Sequence, residues 1–147
     1  MKTLKLNSMV KNILSGALIL LMLSSFTACS KKMVFQTSSI VPAANGYVNV
    51  KSDKNKNYVI KVSISNLAEI SRLQPDKQTY VVWILTEMDQ NINVGQLKSS
   101  SGMFSKRLTA DFETVSSYKP AKVFITAETD GSVEYPGNMT VLTTGTF

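Results

Sequence analysis

Thr79-Tyr80-Val81-Val82-Trp83-Ile84-Leu85-Thr86 is a run whose inner positions, Tyr80 to Leu85, are all apolar or aromatic. It lies between the turn formers Pro75-Asp76 and the polar stretch from Glu87 to Asn91. A strand this continuous has to be covered on both faces, so it reads as the centre of a packed sheet. It also carries the single tryptophan of the chain, whose large side chain is a natural core anchor.

The same strand-and-turn rhythm recurs on either side of this run. Tyr58, Ile60, Val62 and Ile64 alternate with Lys61, Ser63 and Ser65, the period of two expected of a half-buried strand. Before it, Tyr47-Val48-Asn49-Val50-Lys51 alternates likewise, with Asn45-Gly46 as its leading turn and the polar stretch 52–57 as a hairpin connection. Further strands are expected at Met33–Thr37 with Ser38–Val41, at Ile92–Leu97, from Met103 to about Phe112, at Lys122–Glu128 and at Met139–Thr146, with a Ser-rich turn at 99–102. Leu67, Ile70 and Leu73 are spaced for a short helical turn, but Pro75 and the brevity of the segment favour a loop. About eight short strands without a convincing helix among them predict an all-β fold, a single antiparallel β-sandwich of immunoglobulin-like layout over residues 45–147.

The chain is 147 residues long, enough for one domain, with 44% hydrophobic and 18% charged residues, which excludes a disordered or multi-span membrane protein. The formal charge is +6, but Lys2, Lys5 and Lys11 precede the first apolar run. Removing these three from sixteen leaves thirteen basic residues against ten acidic ones, about +3. That balance gives no reason to expect a nucleic-acid partner.

Residues 1–28 have the anatomy of an export signal: three lysines and no acid, an apolar run from Ile13 to Leu23, then small and polar residues at Ser24 and Ser25. The apolar run spans roughly 16 Å as helix against a hydrocarbon core of ~30 Å, too short for a permanent span. Phe26-Thr27-Ala28-Cys29 follows. This tetrapeptide resembles the lipobox of bacterial lipoproteins, with Phe26 in the place usually held by leucine. The resemblance implies that Phe26, Thr27 and Ala28 are read by the signal peptidase. The sulfur of Cys29 would carry a diacylglyceryl group, and the chain would be cut before it and acylated at the new amino terminus. Cys29 is the only cysteine, so it cannot form an internal disulfide. Two or three acyl chains, at about 0.8 kcal/mol per buried CH₂, anchor a protein where one does not. Residues 29–44 then read as the lipidated cysteine and a tether with a first strand, with Ser30-Lys31-Lys32 against the head groups or in solvent.

From Asn66-Leu67 onward the order of features resembles the C-terminal, extracytoplasmic domain of the anti-sigma-K factor family. The residues that carry it are Thr79-Tyr80-Val81-Val82-Trp83, Val94-Gly95-Gln96-Leu97, Val123-Phe124-Ile125-Thr126-Ala127-Glu128, Asp130-Gly131-Ser132, Pro136-Gly137 and Val141-Leu142-Thr143-Thr144-Gly145. The resemblance implies a β-sandwich and an extracytoplasmic compartment. It does not carry the sigma-factor-holding activity, because a lipoprotein leader stands where that family has a cytoplasmic helical domain and a transmembrane helix.

The chain has no histidine, which removes Ser-His-Asp and Cys-His catalysis and the common zinc sites. Asp111 and Glu113 sit two apart on an expected strand and share a face, as a carboxylate pair or as two residues of an exposed edge. Glu87–Asn91 and Asp130–Glu134 offer oxygen ligands for calcium but lack EF-hand spacing, and polar turns, the commonest content of hairpin loops, are the simpler explanation. Lys51, Lys54, Lys56 and Lys61 cluster about one hairpin, where a solvated, aggregation-resistant edge is the simpler explanation. Asn138-Met139-Thr140 matches a glycosylation sequon by chance, given the bacterial leader. The expectation is therefore a lipid-anchored protein of the bacterial cell envelope, extracytoplasmic, bound to the membrane through Cys29, non-enzymatic and without cofactor or metal. It would act as a binding or structural module. The alternative is a regulatory domain modulating an envelope protein partner in signalling.

Overall fold

The computed structural model describes residues 30–101 and 108–147. The expected signal helix, Cys29 and the first residues of the strand expected from Met103 lie outside them. Among the described residues the chain forms nine strands: β1 (Ser30–Val34), β2 (Asn45–Ser52), β3 (Tyr58–Leu67), β4 (Thr79–Thr86), β5 (Asn91–Leu97), β6 (Ser99–Ser101), β7 (Leu108–Ser116), β8 (Pro120–Glu128) and β9 (Thr140–Thr143). They assemble into two antiparallel sheets, one in the order β1-β2-β3-β7-β6 and the other β5-β4-β8-β9. The two sheets pack face to face as the expected β-sandwich.

The alternation in β3 sets the inner face of the first sheet. Ile60, Val62 and Ile64 are buried while Lys61 between them is exposed. Asn66, at φ 58°, then inserts one extra residue, and the register with β7 shifts between Ser65 and Leu67. Asparagine tolerates this left-handed conformation, and the inserted residue turns Leu67 back into the core. Val48 and Ala110 join from β2 and β7. Facing them are Tyr80, Val82 and Ile84 of β4 with Val123, Ile125 and Ala127 of β8 and Val141 and Leu142 around β9.

The deciding stretch is buried on both faces, as its composition requires, but by two different covers. Val81 and Trp83 point away from the main core and are nonetheless fully buried. The connection between β8 and β9 lies over this outer face. Asn93, opposite Trp83 in the β4–β5 register, donates from Nδ2 to the carbonyls of Gly131 and Val133 at 3.0 and 2.9 Å. Glu128 Oε1 accepts the Gly137 N–H at 2.7 Å. Held on both flanks, the connection roofs Trp83, which stacks on Phe124 (centroids 6.2 Å apart, planes at 10°) and donates its indole N–H to Thr126 Oγ1 at 2.8 Å.

Several local expectations are corrected. Asn45-Gly46 is not a turn but the start of β2, because the chain reverses earlier, where Ala44 N–H bonds the Val41 carbonyl. The serines from 99 form the edge strand β6 rather than a turn, their backbone pairing with Leu108–Ala110. The segment after Leu67 contains a 3-10 turn, Ile70–Arg72, closed by Arg72 N–H to Glu69 and Leu73 N–H to Ile70; this short piece needs only two bonds to seat Leu73 in the core. β9 ends at Thr143, because Thr144 bridges instead to Phe35. Residues 30–44, read as a tether with a first strand, are built into the sandwich: β1 pairs along β2, and Phe35, Val41 and Ala44 are buried in the core.

Candidate functional site

The antiparallel registers fix which side chains meet at each end of the sandwich. Ser30, the first residue of β1, lies opposite Lys51; Lys51 lies opposite Val59, and Val59 opposite Val115. Paired residues in a sheet share a face and sit about 5 Å apart, so the start of the described chain and Lys51 are immediate neighbours. The β2–β3 hairpin extends past this row, in the direction from which the chain enters β1.

That hairpin is tightly ordered by one carboxylate. Asp53 Oδ1 accepts the backbone N–H groups of Asn55 and Asn57, each at 2.8 Å, and Oδ2 accepts from the Asn57 side-chain amide at 3.3 Å. These donors, the Asn57 N–H first, hold the Asp53 carboxyl below its usual range. Lys56 takes the left-handed conformation, φ 65°, that closes the turn. Lys51, Lys54 and Lys56 are exposed, and none is in an ion pair among the described residues.

The neighbouring connections reach the same end. Ser116 pairs with Tyr58, the chain passes through Tyr118 and Lys119 into β8, and Pro120 pairs with Thr86 at the end of β4. The β4–β5 turn follows, with Thr86 Oγ1 accepting the N–H groups of Met88 and Gln90. Lys119 is paired with Glu87, which raises the lysine's pKa by hydrogen bond and charge. Met88 (72% exposed), Val115 (59%) and Tyr118 (45%) stand out of this end as large apolar side chains in solvent.

The other candidate groups are brought to separate places and occupied locally. Asp111 and Glu113 do share a face, but each meets a partner directly across β3. Asp111 Oδ1 accepts the Ser63 hydroxyl at 2.7 Å, and Glu113 pairs with Lys61 at 3.0 Å. The hollow beside them, lined by these four side chains with Val62 and Phe112, is open to solvent. Glu87 is held by Lys119, and Asp130 Oδ1 accepts both the backbone N–H and the hydroxyl of Ser132, the backbone bond contributing most to its lowered pKa. No group of three or more acidic, cysteine or histidine side chains is placed to hold a metal among the described residues.

The reading of the lysines as protection for a sheet edge is overturned. β2 is flanked by β1 and β3, and β3 by β2 and β7, so neither strand is an edge. What the sequence does not disclose is that Lys51 faces Ser30 and that Met88, Val115 and Tyr118 share their end of the sandwich. Only the strand order and register carry that signal. No family model, curated protein or solved structure matches this chain.

Proposed function

We propose that this chain is a bacterial lipoprotein that holds one β-sandwich domain at the membrane surface outside the cytoplasm, as a non-catalytic binding or structural module of the cell envelope. Acyl chains on Cys29 are the anchor, and residues 1–28 are the export signal removed before it.

The observation that carries the reading is the junction between Cys29 and the folded domain. The leader pattern ends at Phe26-Thr27-Ala28-Cys29, and β1 starts at the next residue, Ser30. A cut before Cys29 would leave the whole described sandwich intact. One peptide unit, about 3.8 Å, separates the acylated residue from the first strand. A non-catalytic role fits the surface: the hollows beside the acidic residues are open, and their carboxylates are engaged across strands or within turns.

The test is acyl labelling of wild type beside Cys29→Ser in a bacterial host, with fractionation of membranes. Label and membrane association in the wild type, both lost in the variant, are expected. Unlabelled wild-type protein in the soluble fraction would refute the anchor. Crosslinking of the wild type then separates the two roles: abundant envelope structural proteins support a structural module, and a reproducible signalling protein supports a regulatory one.

A further inference from the structure

We infer that the end of the sandwich formed by the β2–β3 hairpin and the β4–β5 and β7–β8 connections is a docking face for the anionic bilayer, fixing the domain upright on its anchor. The inference rests on the Cys29 anchor proposed above and adds an orientation to it.

Three observations converge. Ser30, the first described residue and the one that follows the proposed anchor, lies opposite Lys51, one strand spacing of about 5 Å away. That is shorter than the Debye length of about 8 Å at physiological ionic strength, so Lys51 is only partly screened from an anionic surface at the anchor. Second, the hairpin projects further toward that surface and carries Lys54 and Lys56, exposed and outside any ion pair among the described residues. Its carboxylate, Asp53, is bound to hairpin N–H groups, and of the other acids here Glu87 is paired with Lys119 while Asp89 is exposed. Third, Met88, Val115 and Tyr118 protrude at the same end. Exposed apolar and tyrosyl side chains interspersed with lysines suit the head-group layer, where ammonium groups meet phosphates and the apolar parts reach the acyl boundary.

Because β1 starts directly at Ser30, there is no slack chain to let the domain tumble. The short junction brings this end to the membrane, and the lysines hold it there on anionic lipid. With zwitterionic lipid the same junction remains and the charge contribution disappears.

The experiment uses the acylated protein in vesicles of phosphatidylethanolamine with phosphatidylglycerol, or of phosphatidylcholine alone. Cys29 is consumed by its lipid, so Asn55→Cys and Ser71→Cys each introduce a single thiol for a fluorophore, one on the hairpin and one in the 3-10 turn at the opposite end. Quenching by a nitroxide on the lipid head group reads proximity. Strong quenching at 55 and weak quenching at 71 are expected on anionic vesicles, with the difference shrinking on phosphatidylcholine. Lys51→Gln, Lys54→Gln and Lys56→Gln together should lower the docked-to-free ratio, at roughly five-fold per lysine, while Trp83 emission reports an intact fold. Quenching at 55 that is the same on both vesicle types and in the glutamine variant overturns the docking face. Acyl labelling and vesicle flotation of the same samples separate the two failures. A labelled, floating protein without charge dependence sinks this inference alone, whereas an unlabelled protein that does not float sinks the anchor with it.

Discussion

Replacing Thr126 with valine changes one hydroxyl for a methyl and keeps the β-branched shape that suits a strand. Thr126 is fully buried on β8, beneath the β8–β9 connection, and its Oγ1 accepts the Trp83 indole N–H at 2.8 Å. Trp83 is itself fully buried, so water cannot replace the lost acceptor. An orphaned buried donor costs about 1–3 kcal/mol, against a total stability of ~5–15 kcal/mol for a domain of this kind. Thr126→Val should therefore lower stability by about 2 kcal/mol and the melting temperature by about 8 °C. Urea unfolding followed by circular dichroism measures it, with the slope m unchanged and the midpoint lower. A double-mutant cycle with Trp83→Phe isolates the bond: the pair should couple by about 1 kcal/mol or more, because the double variant leaves no unpaired N–H. A Thr126→Val midpoint equivalent to less than about 0.5 kcal/mol of change, or no coupling in the cycle, would refute the view that the outer face of β4 is a second sealed core.

Gly46→Ala places a Cβ 2.2 Å from the Ser63 carbonyl oxygen and 3.0 Å from Ile64 Cα, backbone atoms that cannot step aside; a loss of about 1–3 kcal/mol in urea unfolding is expected. Asp53 has a folded pKa below its ordinary 3.8, so its contribution is present above that value and is lost as pH falls through the lower folded pKa; the slope of stability against pH in this acid range should flatten in Asp53→Asn. Burial pushes the Tyr80 phenol up to about 12 from 10.0, and its hydroxyl donates to the Ala68 carbonyl at 3.0 Å. Its contribution is complete below pH 10 and is lost as pH rises through about 12, which titration of the urea midpoint should show as a falling alkaline limb absent from Tyr80→Phe.

The fold class and the central strand are legible in the amino-acid order alone. Thr79–Thr86 is β4 to the residue, and the period of two in Tyr58–Ile64 correctly assigns the inner face of β3. These are local signals: side-chain alternation and continuous apolar composition follow directly from strand geometry and from burial. The weaker elements escape a local reading for the same reason. Asn45-Gly46 and the serines from 99 carry turn-like residues, yet their backbones are recruited into strands by neighbours far along the chain, Ser63–Ser65 and Leu108–Ala110. What covers Trp83, where Asp111 and Glu113 find partners, and which end of the sandwich meets Ser30 emerge from the folded chain alone. Those facts depend on strand order and register between distant segments. A hydrophobic pattern says that a face must be covered, but the covering surface is chosen by packing and backbone pairing across the whole domain.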